Sequence, residues 1–169
     1  MIHLYHGDGK GKTTAACGLA LRAAGAGMRV LFAQFFKSGR SSEINAMAAV
    51  PLITTATPAV YHGRFKNMTE EQKAEIASCY ESFLSDIMDK SNDFDLIVLD
   101  EALSAYRYGL INNIKLLDFL KEEKENREIV LTGRTPEPEL KEIADYVTEM
   151  KKEKHPYDHG VKARKGIEF

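Results

Sequence analysis

Two cysteines in 169 residues, with no Cys-x-x-Cys spacing, exclude a disulfide framework and a thiolate zinc site, so Cys17 and Cys79 read as buried small apolar residues. The histidines form no metal constellation either. The one close pair, His155 and His159, brackets Pro156, which breaks a simple helical face, and both read as structural. Charge of neither sign is in excess: 23 lysines and arginines stand against 25 acids, a net −2, which leaves no global footprint for nucleic acid or an anionic membrane. No apolar run approaches the roughly 20 residues that span a bilayer, and the chain opens on a strand pattern where a secretory leader would be basic and then apolar. A cytoplasmic protein without nucleic-acid or membrane partners is expected. No repeat, low-complexity tract or linker divides the chain, and Lys151 to Lys154 reads as a solvated run. With 44% apolar residues, one compact domain over 1–169 is expected.

What is present begins at the amino terminus. After the apolar start Met1-Ile2-His3-Leu4-Tyr5, residues 6–14 read HGDGKGKTT and lead into an alanine-rich helical run. A glycine-rich turn between a strand and a helix points its backbone N–H groups inward, and the helix adds the positive end of its dipole, so phosphate is the ligand this junction suits. Gly7, Gly9 and Gly11 supply the turn; Asp8, Lys10, Lys12, Thr13 and Thr14 supply polar groups around it. Lys12 is placed to reach phosphate oxygens and the Thr13 hydroxyl to ligate Mg²⁺. The usual pattern has a glycine four residues ahead of Gly-Lys-Thr, where this chain has His6, so the loop is a variant. Lys10 adds a second ammonium, suited either to a triphosphate or to solvent.

Further along, Thr13–Gly25 reads as a helix and Arg29–Phe36 as a strand covered on both faces, giving a right-handed parallel unit. Lys37–Glu43 reads as a polar loop at the sheet's carboxyl edge, where open α/β sheets bind ligands. Val50–Met68 is punctuated by Pro51, Pro58 and Gly63 around a possible short strand. A capping box at Thr69 opens a helix to about Lys90, with Ile76, Tyr80, Phe83, Leu84 and Ile87 on one face. Asp95–Glu101 is an apolar strand ending in two acids. Asn113–Lys124 reads as a helix, Glu128–Arg134 as a strand ending at a polar loop, Pro136–Ala144 as a short helix, and Tyr146–Met150 as a closing strand. The order specifies a P-loop, RecA-like α/β fold: a mostly parallel sheet with helices on both faces. Lys12 with Thr13, the pair Asp100 and Glu101, and Arg134 then converge from separate strand ends as a Mg–nucleotide site, with Arg134 as a phosphate clamp or a surface ion pair. These groups place a nucleotide without saying which of its bonds breaks.

HGDGKGKTTAACGLALRAAG, VLFAQFFKSG, DLIVLDE, LTGR and above all DYVTEMKKEKHPYDHGVKARKGIEF together resemble the P-loop ATP:corrinoid adenosyltransferases of cobalamin biosynthesis, from near Ile2 to Phe169. The loop is similar to that family's G-x-G-K-G-K-T-T form, which accounts for the missing leading glycine. The resemblance implies transfer of the 5′-deoxyadenosyl group of ATP to the Co(I) of a reduced corrinoid, with release of triphosphate, in synthesis or salvage. It implies Mg²⁺, an electron donor such as flavodoxin or reduced flavin, and a homodimer. Co(I) is itself a strong nucleophile, consistent with a chain showing no Ser-His-Asp unit. By the family's pattern Lys10 and Lys12 act on the leaving triphosphate, Thr13 and Glu101 hold the metal, and Asp8, Arg22 and Arg134 lie near the nucleotide. Better-known members have an amino-terminal extension that covers the neighbouring site, and they place an aromatic pair including Trp below the corrin. This chain opens at its first strand and has no Trp, so Tyr61 and Phe65 are the candidates for the corrin contact. A small-molecule kinase and a non-catalytic ATP or corrinoid sensor are the competing readings.

Overall fold

The structure is a computed structural model that describes residues 1–37, 41–63 and 65–168. In chain order it contains β1 (Ile2–His6), α1 (Lys12–Gly25), β2 (Val30–Gln34), α2 (Ser42–Met47), β3 (Ile53–Ala56), α3 (Glu70–Asp89), β4 (Leu96–Asp100), α4 (Ala102–Arg107), α5 (Asn113–Glu123), β5 (Glu128–Thr132), α6 (Pro138–Ile143) and β6 (Tyr146–Glu149). The six strands form one sheet in the order β3-β2-β4-β5-β1-β6, and every pairing is parallel. β5 lies between β1, which feeds the glycine loop, and β4, which carries the acids.

Alternation along the central strands fills two cores, one on each face of the sheet. Leu31, Ala33, Ile97, Leu99, Ile129 and Leu131 pack on the face shared with α3, α4 and α5. Their neighbours Val30, Phe32, Leu96, Val98 and Val130 pack on the other, against Ala16, Ala20, Ala23 and Ala24 of α1. Four alanines on the buried face of one helix bring its axis close to the sheet, and that approach holds the amino end of α1 at the tip of β1. α3 starts as its sequence specifies: the Thr69 hydroxyl accepts from the Gln72 N–H while the Gln72 side chain accepts from the Thr69 N–H.

The expected mostly parallel α/β sheet is present, with two short helices that periodicity did not reveal. α2 and α4 have six residues each, too few for a repeating apolar stripe. α2 occupies part of what reads as a polar loop; residues 38–40 of that loop lie outside the described residues. The ambiguous stretch after Val50 holds β3, paired with β2 from Val30 to Ala33. Cys17 and Cys79 are half-buried free thiols, less enclosed than expected. Burial pushes the Cys17 thiol up to about 12, which leaves it protonated. His155 Nδ1 accepts from the Tyr157 N–H in a short 3₁₀ turn. Among the described residues no helix is long and apolar enough to cross a membrane.

Candidate functional site

The loop between β1 and α1 is held from outside by the chain itself. Gly7 donates its N–H to the Arg134 carbonyl at 2.8 Å, and Gly9 donates to the Met150 carbonyl at 2.7 Å. A Cβ on Gly7 or Gly9 would lie 2.4 or 2.5 Å from the Met150 carbonyl oxygen, so both positions exclude a side chain. Gly7 and Gly11 also have φ of 114° and 113°, which favours glycine independently. The N–H groups of Lys10, Gly11, Lys12 and Thr13 donate to no group among the described residues. Those of Gly11, Lys12 and Thr13 are free donors that the first turn of a helix leaves behind, and that of Lys10 extends them into the loop. Lys12 bends back so that its Nζ donates to the Gly9 carbonyl at 2.6 Å. Burial lowers its ammonium pKa, and the Glu101 carboxylate opposes that shift.

Behind the loop stands a buried polar cluster. Asp100, at the end of β4, is fully buried among hydrogen-bond donors: its Oδ1 accepts from the Thr13 hydroxyl at 2.9 Å and the Thr132 hydroxyl at 2.6 Å, and its Oδ2 accepts from Gln34 Nε2 at 2.9 Å. Gln34 is fixed in turn, donating to Glu43 and accepting from the Ser41 hydroxyl. Thr132 also accepts from the Glu101 N–H at 2.9 Å, so one hydroxyl joins the two consecutive acids. Glu101 leaves the strand in the left-handed region, φ 61°, and caps α4, with its Oε2 accepting from Ser104. Burial first, and the neighbouring Asp100 second, push the Glu101 carboxyl above the usual carboxylate range. Beside this cluster a cleft of about 310 Å³ is lined by Asp8, Ser104, Arg107, Tyr108, Arg134 and Thr135. A phosphate-gripping turn, a hydroxyl fixed by a buried acid and an adjoining open cleft are the parts a polyphosphate ester and its reaction partner require.

The ATP:corrinoid adenosyltransferase family BtuR/CobO/CobP matches the chain over residues 1–169. The chain belongs to that family. It is similar to a corrinoid adenosyltransferase of Sinorhizobium, 34% identical over all of this chain and 80% of the relative. It is also similar to those of Pseudomonas aeruginosa, at 32% with 83% of the relative covered, and Escherichia coli K12, at 31% with 85% covered.

For this adenosyltransferase family member, the structure brings together most of the residues singled out from sequence. Thr13 meets Asp100, the charges of Glu101 and Asp100 act on Lys12, and Asp8 and Arg134 share the cleft. Lys10 and Thr14 are exposed. Arg22 is not brought to the loop. It sits in the last turn of α1, ten residues from Lys12 or about 15 Å along the axis, and α1 runs back toward the other end of the sheet. Nor are Tyr61 and Phe65 a pair, since no ring contact joins them among the described residues. Phe65 instead stacks on Tyr108, with centroids 4.3 Å apart and planes 9° from parallel, and Lys73 lies 5.3 Å from its ring centre. Arg64, between them, lies outside the described residues. Sequence reading missed Gln34, Ser41, Tyr108 and Thr132. Only Thr132 had a signal, as a hydroxyl at the end of a buried strand that stops at a polar loop.

Proposed function

We propose that this chain, acting as one unit over residues 1–169, transfers the 5′-deoxyadenosyl group of ATP to the cobalt of a reduced corrinoid. The observation that supports this best is the cradle of four undonated N–H groups at Lys10–Thr13 beside the Thr13–Asp100–Glu101 cluster, in a chain matched end to end by the family. In the reaction the Co(I) electron pair attacks C5′, the C5′–O bond breaks with its electrons staying on oxygen, and inorganic triphosphate leaves while cobalt becomes formally Co(III). The nucleophile arrives with the substrate, so the protein's work is placement and stabilisation of the leaving group. Lys12, Lys10 and the free amides face the charge that grows on the triphosphate. Arg134 meets it from the cleft wall.

Mg²⁺ fits the groups present. No cluster of three or more histidine, cysteine or acidic side chains gathers among the described residues, so an all-protein cage is not on offer. Mg²⁺ retains waters and uses few protein oxygens alongside phosphate, and Thr13 Oγ1 with Glu101 are the oxygens that would hold it. When bound, it neutralises charge on the departing triphosphate. We further propose a homodimer, and an electron donor of the flavodoxin or reduced-flavin type that delivers Co(I).

The test is to incubate the protein with Mg·ATP, a corrinoid and a strong chemical reductant, resolving products by phosphorus NMR and visible absorption. A light-sensitive alkylcobalt spectrum with equimolar triphosphate is expected. ADP with a phosphorylated acceptor would instead make it a kinase, and binding of both substrates without turnover a sensor.

A further inference from the structure

The stretch after β6 reads from sequence as a solvated charge run, but the structure ties it to the glycine loop. Met150 donates its N–H to His6 and accepts from Gly9, and its backbone fills the space where Gly7 and Gly9 would carry side chains. Its Sδ lies 3.9 Å from the Cβ position of Gly11, so all three loop glycines face this one residue. Two residues on, the Lys152 N–H donates to Asp8 Oδ1 at 2.9 Å. That hydrogen bond holds the Asp8 carboxyl below its ordinary range. From 151 to 168 the segment carries six lysines and arginines against three acids and is exposed almost throughout. Near its end Arg164 grips Glu168 through a backbone and two side-chain hydrogen bonds, and the Glu168 carboxylate feels the charge of Lys10.

An aspartate in a phosphate-binding loop is a repulsive choice unless its charge has another use. We propose that Asp8 is a positioning residue whose carboxylate fastens the segment 150–168 across the glycine loop, setting that segment's cations against the open side of a bound polyphosphate. Asp8 then contacts the protein's own backbone, and the ligand meets the segment that Asp8 holds. The inference rests on the loop being a polyphosphate site and goes beyond it by assigning a second wall.

Two measurements test it. Trypsin cleavage within residues 151–165 is followed with and without saturating inorganic triphosphate, whose binding is measured separately by calorimetry. Triphosphate is expected to slow that cleavage at least fivefold. Asp8→Ala is expected to speed it and to raise the KM for ATP about tenfold with kcat within about twofold, whereas Asp8→Asn, which keeps an acceptor oxygen, stays near the parent in both. Should Asp8→Ala fail to fold, the parent's cleavage pattern and Asp8→Asn still carry the test. Triphosphate that binds without slowing cleavage overturns the proposal and leaves the function standing; triphosphate that does not bind overturns both. An Asp8→Asn variant as impaired as Asp8→Ala also overturns it, because the charge would then act on the ligand directly.

Discussion

Replacing Thr132 with valine keeps the shape of a fully buried side chain and removes one hydroxyl that serves two acids. That hydroxyl donates to Asp100 Oδ1 at 2.6 Å and accepts from the Glu101 N–H at 2.9 Å. A hydrogen bond to a charged group contributes about 1.5–3 kcal/mol, and a partly buried N–H left without an acceptor costs about 1 kcal/mol more. The expected loss is about 3 kcal/mol, or a fall of about 6–12 °C in Tm for a chain of this size. Because valine matches threonine in volume, the packing contribution stays small and the change isolates the hydrogen bonds. Urea unfolding followed by circular dichroism gives the number, with the denaturant slope unchanged if the native surface is unchanged. Adenosyl transfer should fall as well, since Asp100 also fixes the Thr13 hydroxyl at 2.9 Å. A stability change below about 0.5 kcal/mol would show that Thr132 does not join the acidic pair.

Three further outcomes are expected. Lys12→Ala should lower kcat/KM by about 10²–10³-fold while leaving unfolding within about 1 kcal/mol of the parent, because among the described residues its side chain makes a single hydrogen bond, to the Gly9 carbonyl; steady-state kinetics and a melt on the same sample decide this. Gly9→Ala should abolish triphosphate binding by calorimetry, since its methyl would sit 2.5 Å from the Met150 carbonyl oxygen and backbone must move; normal affinity would mean the loop accommodates a Cβ after all. Glu101 binds its proton more tightly folded than unfolded, so the unfolded chain releases it first as pH rises through the ordinary value of 4.5 and stability is lost above that point. Glu101→Gln should therefore gain stability relative to the parent as pH rises above about 4.5, read by paired melts, and a gap that stays constant or narrows contradicts the assignment.

The parallel sheet was legible because β2, β4 and β5 are short apolar runs that only a strand covered on both faces accommodates, and α3 because its capping box and apolar face agree. The loop and the acids announced themselves by residue type at strand ends. α2 and α4 were not legible, since six residues give no period to read. The long-range partners were hidden for a different reason. Nothing local in Gln34 says that its amide will meet Asp100, 66 residues away. Nothing in Asp8 says that it will hold Lys152, 144 residues away. The Phe65–Tyr108 stack likewise depends on where the turn before α3 meets the end of α4. Arg22 shows the opposite failure: family pattern suggested it, and helix direction carries it away from the loop.

The claim that most needs measurement is that the cradle grips the triphosphate so that C5′, and no phosphorus, is attacked. ATP carrying ¹⁸O in the bridge between C5′ and the α-phosphorus reports this directly when turned over with a corrinoid and a strong reductant. With attack at C5′ the label leaves in inorganic triphosphate and none stays with the adenosyl group on cobalt. Label recovered in ADP or AMP would mean that a phosphorus–oxygen bond breaks, contradicting adenosyl transfer.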